Sequence, residues 1–205
     1  MLVGTYNPLL VAMSYVVAAF ASYVALDMAG RISASTGWVS RSWLIGGSVA
    51  MGFGIWSMHF LGMLAFKLPI PQGYDLVVTL YSLLIAICSA AYALHVVTGH
   101  DLPLPRLAVA AVILGAGIAA MHYVGMEAMH MQPGIDYHAG WFALSILIAM
   151  GAAGAALWIA FSLRREGAGV LRARALAALV MGVAVVGMHY TGMAAARFPE
   201  GSICG

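Results

Sequence analysis

Charged residues are scarce in this chain, where Asp, Glu, Lys and Arg together make up 8% of 205 residues. A soluble domain carries roughly 25% of such residues, so this chain lacks the polar surface that a water-soluble globule needs. The net charge of +2 is also too small for the basic surface that is typical of nucleic-acid-binding proteins. We therefore expect a protein that folds in lipid and binds no nucleic acid.

Cysteines and catalytic groupings are scarce as well. The chain has 2 cysteines, and Cys88 lies within an apolar run while Cys204 lies near the C-terminus. We expect this placement to keep their Cα atoms too far apart for a disulfide. The sequence also shows no nucleophile–base pair, phosphate-binding loop or pair of carboxylates, which are the groupings that mark many active sites. It therefore predicts a protein that is not an enzyme.

Long apolar runs dominate what is present. Hydrophobic residues make up 63% of the chain, and the mean hydropathy is +0.97. About 20 apolar residues suffice for a helix to cross the hydrocarbon core, and six runs reach that length: 8–28, 43–66, 76–97, 107–129, 141–163 and 175–196. The sequence thus predicts an all-α integral membrane bundle of six transmembrane helices. The first run has neither a basic flank nor a small-residue cleavage site, so we expect it to be retained.

The distribution of Lys and Arg predicts the orientation of the bundle. The first, third and fifth loops carry seven arginines, whereas the other loops and the C-terminal tail carry only Lys67 and Arg197. Cytoplasmic loops are enriched in Lys and Arg. We therefore expect the odd loops to be cytoplasmic and both termini to be extracytoplasmic.

One short pattern occurs three times, and such internal repeats show how a chain is built. Each copy contains Met-His, an aromatic residue, and then Gly-Met. Its histidines are His59, His122 and His189, and all three lie near the ends of even-numbered runs. The sequence thus predicts three two-helix repeats, over about 8–66, 76–129 and 141–196, related by a pseudo-threefold axis within one domain spanning 1–205.

Helical spacing places the repeated side chains on common faces. Residues three and four apart are neighbours on a helix, so each His stands beside the Gly and the Met that follow it. Imidazole and thioether groups together suit copper, with zinc as the second choice. The predicted metal ligands at the extracytoplasmic end are His59, His122, His189, Met63, Met126 and Met193.

A glycine also recurs seven residues before each histidine, at Gly52, Gly115 and Gly182. Small residues allow membrane helices to approach closely. We expect these three glycines to bring the second, fourth and sixth helices together beneath the metal. The aromatic residues after the histidines are expected to be interfacial anchors, because Phe60 has no hydroxyl group for a supporting hydrogen bond.

Several alternatives remain open at this stage. The histidines could be hydrogen-bonded structural residues, and their preceding methionines, Met58, Met121 and Met188, could line the site or only pack. A further group near the fourth loop and the tail could capture metal or form a hydrated loop; it comprises Glu127, His130, Met131, Asp136, His138 and Cys204. A haem or redox protein and a metal transporter are the alternative functions.

The repeated strings resemble a known family. Met188-His189-Tyr190-Thr191 is the signature for which the MHYT family of bacterial integral-membrane sensor domains is named. The other two copies are similar to it and read Met58-His59-Phe60-Leu61 and Met121-His122-Tyr123-Val124. The resemblance covers essentially the whole chain, although the first two copies lack the Tyr-Thr ending.

The resemblance implies a function. Members of the family are thought to bind copper at these residues and to sense O₂, CO or NO, or the metal itself. They usually precede a cytoplasmic output domain, such as a diguanylate cyclase, a cyclic-di-GMP phosphodiesterase or a kinase. The resemblance therefore implies a multi-pass protein of the bacterial inner membrane with a metal site near its periplasmic face. Homodimers are an option. The family's usual seventh helix and an output domain are absent from these residues.

The predicted orientation can be tested by cysteine labelling. With Cys88 and Cys204 removed, a cysteine introduced at Gln72 or Gln132 should react with an impermeant thiol reagent in intact cells. A cysteine at Ser35 or Gly167 should react only after the membrane is opened. The reverse pattern would show that the bundle has the opposite orientation.

Overall fold

A computed structural model describes residues 2–204 of the protein. It contains six long helices, α1 (Pro8–Ser33), α2 (Gly37–Ala65), α3 (Leu76–Val97), α4 (Leu104–Glu127), α5 (Ala139–Leu163) and α6 (Val170–Ala195). Each is long and apolar enough to cross a membrane. The predicted all-α bundle of six transmembrane helices is therefore confirmed.

The helices extend further than the apolar runs at one end of the bundle. The helix α2 begins at Gly37 and α6 begins at Val170, several residues before the predicted starts at 43 and 175. Residues 34–36 alone separate α1 from α2. The arginines that we placed in loops, such as Arg41 and Arg172, therefore lie in the first turns of helices. Arginine is a good helix former, which is consistent with this position.

The six helices form a closed ring in chain order. Each contacts the helices before and after it, and α6 closes the ring against α1. The even helices α2, α4 and α6 also meet one another at the end that carries the histidines, which we call the histidine end. The odd helices α1, α3 and α5 meet as well. An apolar cluster of buried residues contains Leu26, Leu94 and Leu157, one from each of them.

Short strands and helix caps close the histidine end. Six two-residue strands pair as β1 (Thr5–Tyr6) with β2 (Phe66–Lys67), β3 (Met131–Gln132) with β6 (Ile203–Cys204), and β4 (Asp136–Tyr137) with β5 (Ala196–Arg197). All three pairs are antiparallel. They cover the ends of the even helices.

Three equivalent backbone hydrogen bonds, one for each pair, join each odd helix to the even helix that follows it. The residues that cap the starts of α1, α3 and α5 are Asn7, Asp75 and His138. Their backbone N–H groups donate to the carbonyls of Ala65, Ala128 and Ala195, at 2.8, 2.7 and 2.8 Å respectively. Each cap also accepts backbone N–H bonds with its side chain, which satisfies groups that the first turn of a helix leaves unpaired.

The odd helices carry a repeat of their own. Serine, alanine and leucine recur on them with the spacing Ser-x₃-Ala-x₇-Leu, starting at Ser14, Ser82 and Ser145. The serines are all 0% exposed. Their equivalent burial shows that the pseudo-threefold relation extends to the odd helices.

The glycines seven residues before the histidines do not join the even helices, so that prediction is wrong. A Cβ at Gly52 would meet the backbone of Ile87 in α3, at 2.6 Å from its Cα. The equivalent contacts of Gly115 and Gly182 are with Met150 in α5 and Ala19 in α1. These glycines face away from the axis, where each even helix packs against the next odd helix.

This packing predicts the effect of enlarging one of these glycines. Gly115→Leu should lower the melting temperature, because a Cβ there would lie 2.6 Å from the Met150 Cα and overpacking typically costs about 1–3 kcal/mol. Gly151→Leu is the control, since a Cβ at Gly151 meets nothing within 4 Å. Equal melting temperatures for the two variants would contradict the α4–α5 contact.

Candidate metal centre

The three repeated histidines converge at the axis of the bundle. His59, His122 and His189 are 0–1% exposed, and their ring centroids lie 5.0–5.1 Å apart. The rings stand at 82–87° to one another, which gives a three-bladed arrangement. Among the His, Cys, Asp and Glu residues within 2–204, these three histidines form the group that is close enough to hold a metal ion.

The nitrogens that face one another are the Nδ1 atoms. Nδ1 of His59 lies 3.2 Å from Nδ1 of His122 and 3.2 Å from Nδ1 of His189. A tetrahedral metal with bonds of about 2.0 Å to imidazole nitrogen would have its ligands roughly 3.3 Å apart. The spacing of the histidines therefore fits a metal held by three imidazoles.

Glycines position the far side of each imidazole ring. A Cβ at Gly62, Gly125 or Gly192 would lie within 3.0 Å of the Nε2 of a histidine from another repeat. His59 of α2 lies on Gly125 of α4, and the other two pairs continue the cycle; they are His122 on Gly192 and His189 on Gly62. The glycine after each histidine thus forms a cradle for the histidine of a neighbouring helix.

The Nε2 atoms themselves have no hydrogen-bond partner within residues 2–204. An unsatisfied buried polar group costs about 1–3 kcal/mol, and here three occur together. A set of purely structural histidines would leave this cost without evident compensation. A metal bound at the Nδ1 atoms would leave the Nε2 groups unpaired, but its binding free energy would offset their cost.

The methionines of the repeats lie one helical turn closer to the ends of α2, α4 and α6 than the histidines do. Met63, Met126 and Met193 are 0–4% exposed and belong to one apolar cluster, which we call the methionine cluster. It also contains Phe66, Leu68, Met129, Met131 and Phe198. The structure therefore brings the three predicted methionines together, one helical turn beyond the histidines.

The other candidates near the fourth loop do not join the three histidines. Nδ1 of His138 accepts bonds from the backbone N–H groups of Gly140 and Trp141 and caps α5. Glu127 accepts a bond from the Tyr137 hydroxyl, at 3.5 Å. The Cys204 thiol donates to the carbonyl of Met129. His130 is exposed, and Asp136 is in β4.

Aromatic residues next to the histidines support the site, which the sequence reading had considered less plausible. Each contacts its neighbouring histidine edge-on, with ring centroids 4.8–4.9 Å apart. The hydroxyls of Tyr123 and Tyr190 bond to the buried Ser145 and Ser14, at 2.6 and 3.2 Å. Phe60 lacks a hydroxyl, and the indole N–H of Trp56 bonds to Ser82 instead, at 3.1 Å.

These serines are the residues that the sequence reading missed. They connect each histidine helix to the next odd helix: α4 to α5, α6 to α1, and α2 to α3. Their regular spacing along the odd helices was the available signal. Serine is common in membrane helices, so the spacing alone did not reveal their partners.

Tyr6 and Tyr74, two tyrosines at the histidine end, remain neutral at physiological pH. Burial, with a smaller effect of Cys204, raises the pKa of Tyr74 to about 12. Burial, with a smaller effect of Tyr190, raises the pKa of Tyr6 to about 12. These phenols therefore add no negative charge near the methionine cluster.

Comparison with known proteins gives a family match. The sequence matches the family MHYT, described as "Bacterial signalling protein N terminal repeat", over residues 52–110, 115–173 and 182–205. The matched repeats start at 52, 115 and 182, which are the glycines seven residues before the histidines. No solved structure gives a significant match.

Three relatives resemble the chain over almost its whole length. The bifunctional diguanylate cyclase/cyclic di-GMP phosphodiesterase MucR of Pseudomonas aeruginosa is 62% identical over 100% of this chain and 30% of its own length. The cyclic di-GMP phosphodiesterase NbdA of the same species is 43% identical over 93% of this chain and 24% of its own length. The signaling protein YkoW of Bacillus subtilis is 39% identical over 95% of this chain and 24% of its own length. The chain thus spans less than a third of each relative.

The glycine cradle can be tested by a minimal substitution. In Gly125→Ala, the new methyl group would lie within 3.0 Å of the His59 Nε2 and should displace that ring. We expect a lower melting temperature and increased modification of His59 by diethyl pyrocarbonate, measured by mass spectrometry.

Gly151→Ala is the matched control, because Gly151 is also helical and a Cβ there meets nothing within 4 Å. It should leave both the stability and the protection of His59 unchanged. Full protection of His59 in Gly125→Ala would contradict the packing of this ring against α4.

Proposed function

Because this chain belongs to the MHYT family of bacterial signalling proteins, we propose that it is a copper-binding sensor domain of the inner membrane. The observation that carries the proposal is the convergence of three buried Nδ1 atoms, with two separations of 3.2 Å. Ionisable groups inside a membrane are costly and mark functional sites by default. Three of them from three helices meet at one point here.

Ligand chemistry favours copper over zinc. Imidazole binds copper and zinc, whereas thioether sulfur selects Cu(I). Met63, Met126 and Met193 lie in the methionine cluster directly beyond the histidines. We assign His59, His122 and His189 as the first ligands and these methionines as the source of preference for the reduced ion.

The proposed signal is a diatomic gas, namely O₂, CO or NO, or the metal itself. Copper held by three side chains would supply an open coordination position for such a molecule. A movement of any histidine ring would press on a glycine of a neighbouring even helix, since the contact leaves no room for a Cβ. The tyrosine–serine bonds would carry that movement to α1 and α5.

The far end of α6 offers a route for the signal. Arg174 of α6 is 1% exposed and forms ion pairs with Asp27 of α1 and Glu166, at 3.6 and 3.4 Å. Its Nε also donates to the carbonyl of Leu163 at the end of α5. A shift of α6 would thus be felt by α1 and by the end of α5.

The names of MucR and NbdA support a cyclic-di-GMP output. Both are described as acting on cyclic di-GMP, and this chain corresponds to 30% and 24% of their lengths. We therefore propose that the domain regulates a cytoplasmic enzyme of this kind through a further helix, with the metal near the periplasmic face. Association into homodimers remains a prediction.

The geometry disfavours both alternative functions. Three imidazoles whose centroids lie 5.0–5.1 Å apart leave no space for a porphyrin between them. A transporter needs polar groups along its path, but an apolar cavity lies below the histidines and Ser22 and Ser89 are its polar lining side chains. The site is thus better suited to retaining a metal than to passing it on.

Metal analysis of the purified domain tests the proposal. We expect copper in stoichiometric amount, and a sharp loss of it in His59→Ala, His122→Ala and His189→Ala, because each removes one of three converging ligands. Met126→Leu should weaken retention of Cu(I) and leave zinc binding unchanged. CO added to the reduced copper protein should give an infrared C–O band that His122→Ala lacks.

The controls are His95→Ala and His100→Ala, which alter exposed histidines outside the three-histidine group. Both should keep full metal content. Equal metal content in the wild type and the triple histidine variant would overturn the proposal.

A further inference from the structure

A cavity lies at the centre of the bundle, next to the three histidines. Its volume is about 110 Å³, and all six helices contribute to its walls. Met121 and Met188, the residues directly before His122 and His189, line it. It therefore lies on the opposite side of the histidines from the methionine cluster.

The walls of this cavity are almost entirely apolar. Small and branched apolar side chains predominate, and the polar ones are Ser22 and Ser89. The Ser22 hydroxyl donates to the carbonyl of Ala18 in its own helix, at 2.8 Å. Apolar cavities of roughly 150 Å³ stay dry and bind molecules such as xenon or benzene. The cavity is thus suited to a small apolar molecule.

One repeat departs from the other two at the side of this cavity. Five residues before the histidine, the first two repeats have Gly54 and Gly117, and the third has Ala184. A Cβ at Gly54 would lie 2.7 Å from the Ala21 Cβ in α1, and one at Gly117 would lie within 3.0 Å of the Ser89 hydroxyl in α3. We call the contact between an odd helix and the even helix that follows it a seam. The α1–α2 and α3–α4 seams are therefore tightly packed through glycine.

The equivalent seam between α5 and α6 cannot close in this way, because Ala184 carries the methyl group that the other two seams exclude. The exposed residues among those lining the cavity are at this seam, namely Ala155 of α5 and Val180 of α6. Val180 is 64% exposed on a helix that would face lipid. The cavity thus opens sideways towards the bilayer core.

We propose that this cavity binds a diatomic gas that enters from the lipid between α5 and α6 and reaches the histidines from the side of Met121 and Met188. Such gases are small and apolar, which matches the volume and the walls. Their use as the sensed signal rests on the proposed function, but binding in the cavity does not require a metal. The methionine cluster then covers the opposite face of the histidines.

Xenon under pressure tests the cavity directly. In domain labelled with ¹³C at its methionine methyl groups and held in lipid nanodiscs, the signals of Met121 and Met188 should shift and saturate with xenon pressure. They should do so with and without copper. The signal of Met13, which is 45% exposed, should change only in proportion to pressure. Unsaturable shifts at Met121 and Met188 would overturn the inference and leave the metal proposal intact.

Blocking the seam tests the route. Ala184→Phe should abolish the saturable shifts, and in reduced copper protein it should slow CO rebinding after photolysis without changing metal content. Ala120→Phe is the control, because Ala120 is exposed on α4 and does not line the cavity. Ala184→Leu offers a smaller block if the Phe variant is unstable. Unchanged xenon binding and CO rebinding in a folded Ala184 variant would exclude access between α5 and α6.

Discussion

The contact between each histidine ring and a glycine of another even helix organises the histidine end of this protein. The ring of His59 occupies the space above Gly125 that a Cβ would fill, and two equivalent contacts complete a cycle through α2, α4 and α6. Close approach through glycine is a common basis of helix association in membranes, where lipid gives little hydrophobic driving force. Here the same contact that joins the helices also aims three Nδ1 atoms at one point.

Within residues 2–204, buried polar side chains away from the histidines are paired locally, as a membrane interior requires, with the exception of Gln72 Nε2 and Thr79 Oγ1. Buried serines bond to tyrosine or tryptophan on the neighbouring even helix. Cap residues bond to the ends of the even helices, and Arg174 is paired at the opposite end. The Nε2 atoms of the histidines stand out against this background, because three such atoms without a partner within residues 2–204 belong to rings that touch one another. This contrast is why we interpret the histidines as a ligand site and not as structural hydrogen-bonding residues.

The departures from threefold symmetry divide into two kinds. Phe60 removes a hydroxyl, but Trp56 restores the bond to the odd helix from one turn earlier. That departure is compensated, so the three supports of the histidines remain equivalent. Ala184 replaces a glycine without such compensation and stands at the seam where Ala155 and Val180 are exposed. A symmetric site with one asymmetric side opening is a reasonable design for a ligand that arrives through the bilayer.

Composition and spacing along the chain are enough to predict the membrane class, the six helices, the three repeats and the histidines and methionines that meet. These follow from local composition and spacing, because a helix must be apolar to cross lipid and repeats place equivalent residues at equivalent depth. Which glycine makes which contact, in contrast, becomes visible only in the packed bundle. Gly115 and Gly125 lie ten residues apart, which places them about 80° apart around the helix axis, and they face α5 and His59 respectively. The pairing of Ser145 with Tyr123 and the open α5–α6 seam also depend on how the helices are arranged around the axis, which helical periodicity along one chain does not specify.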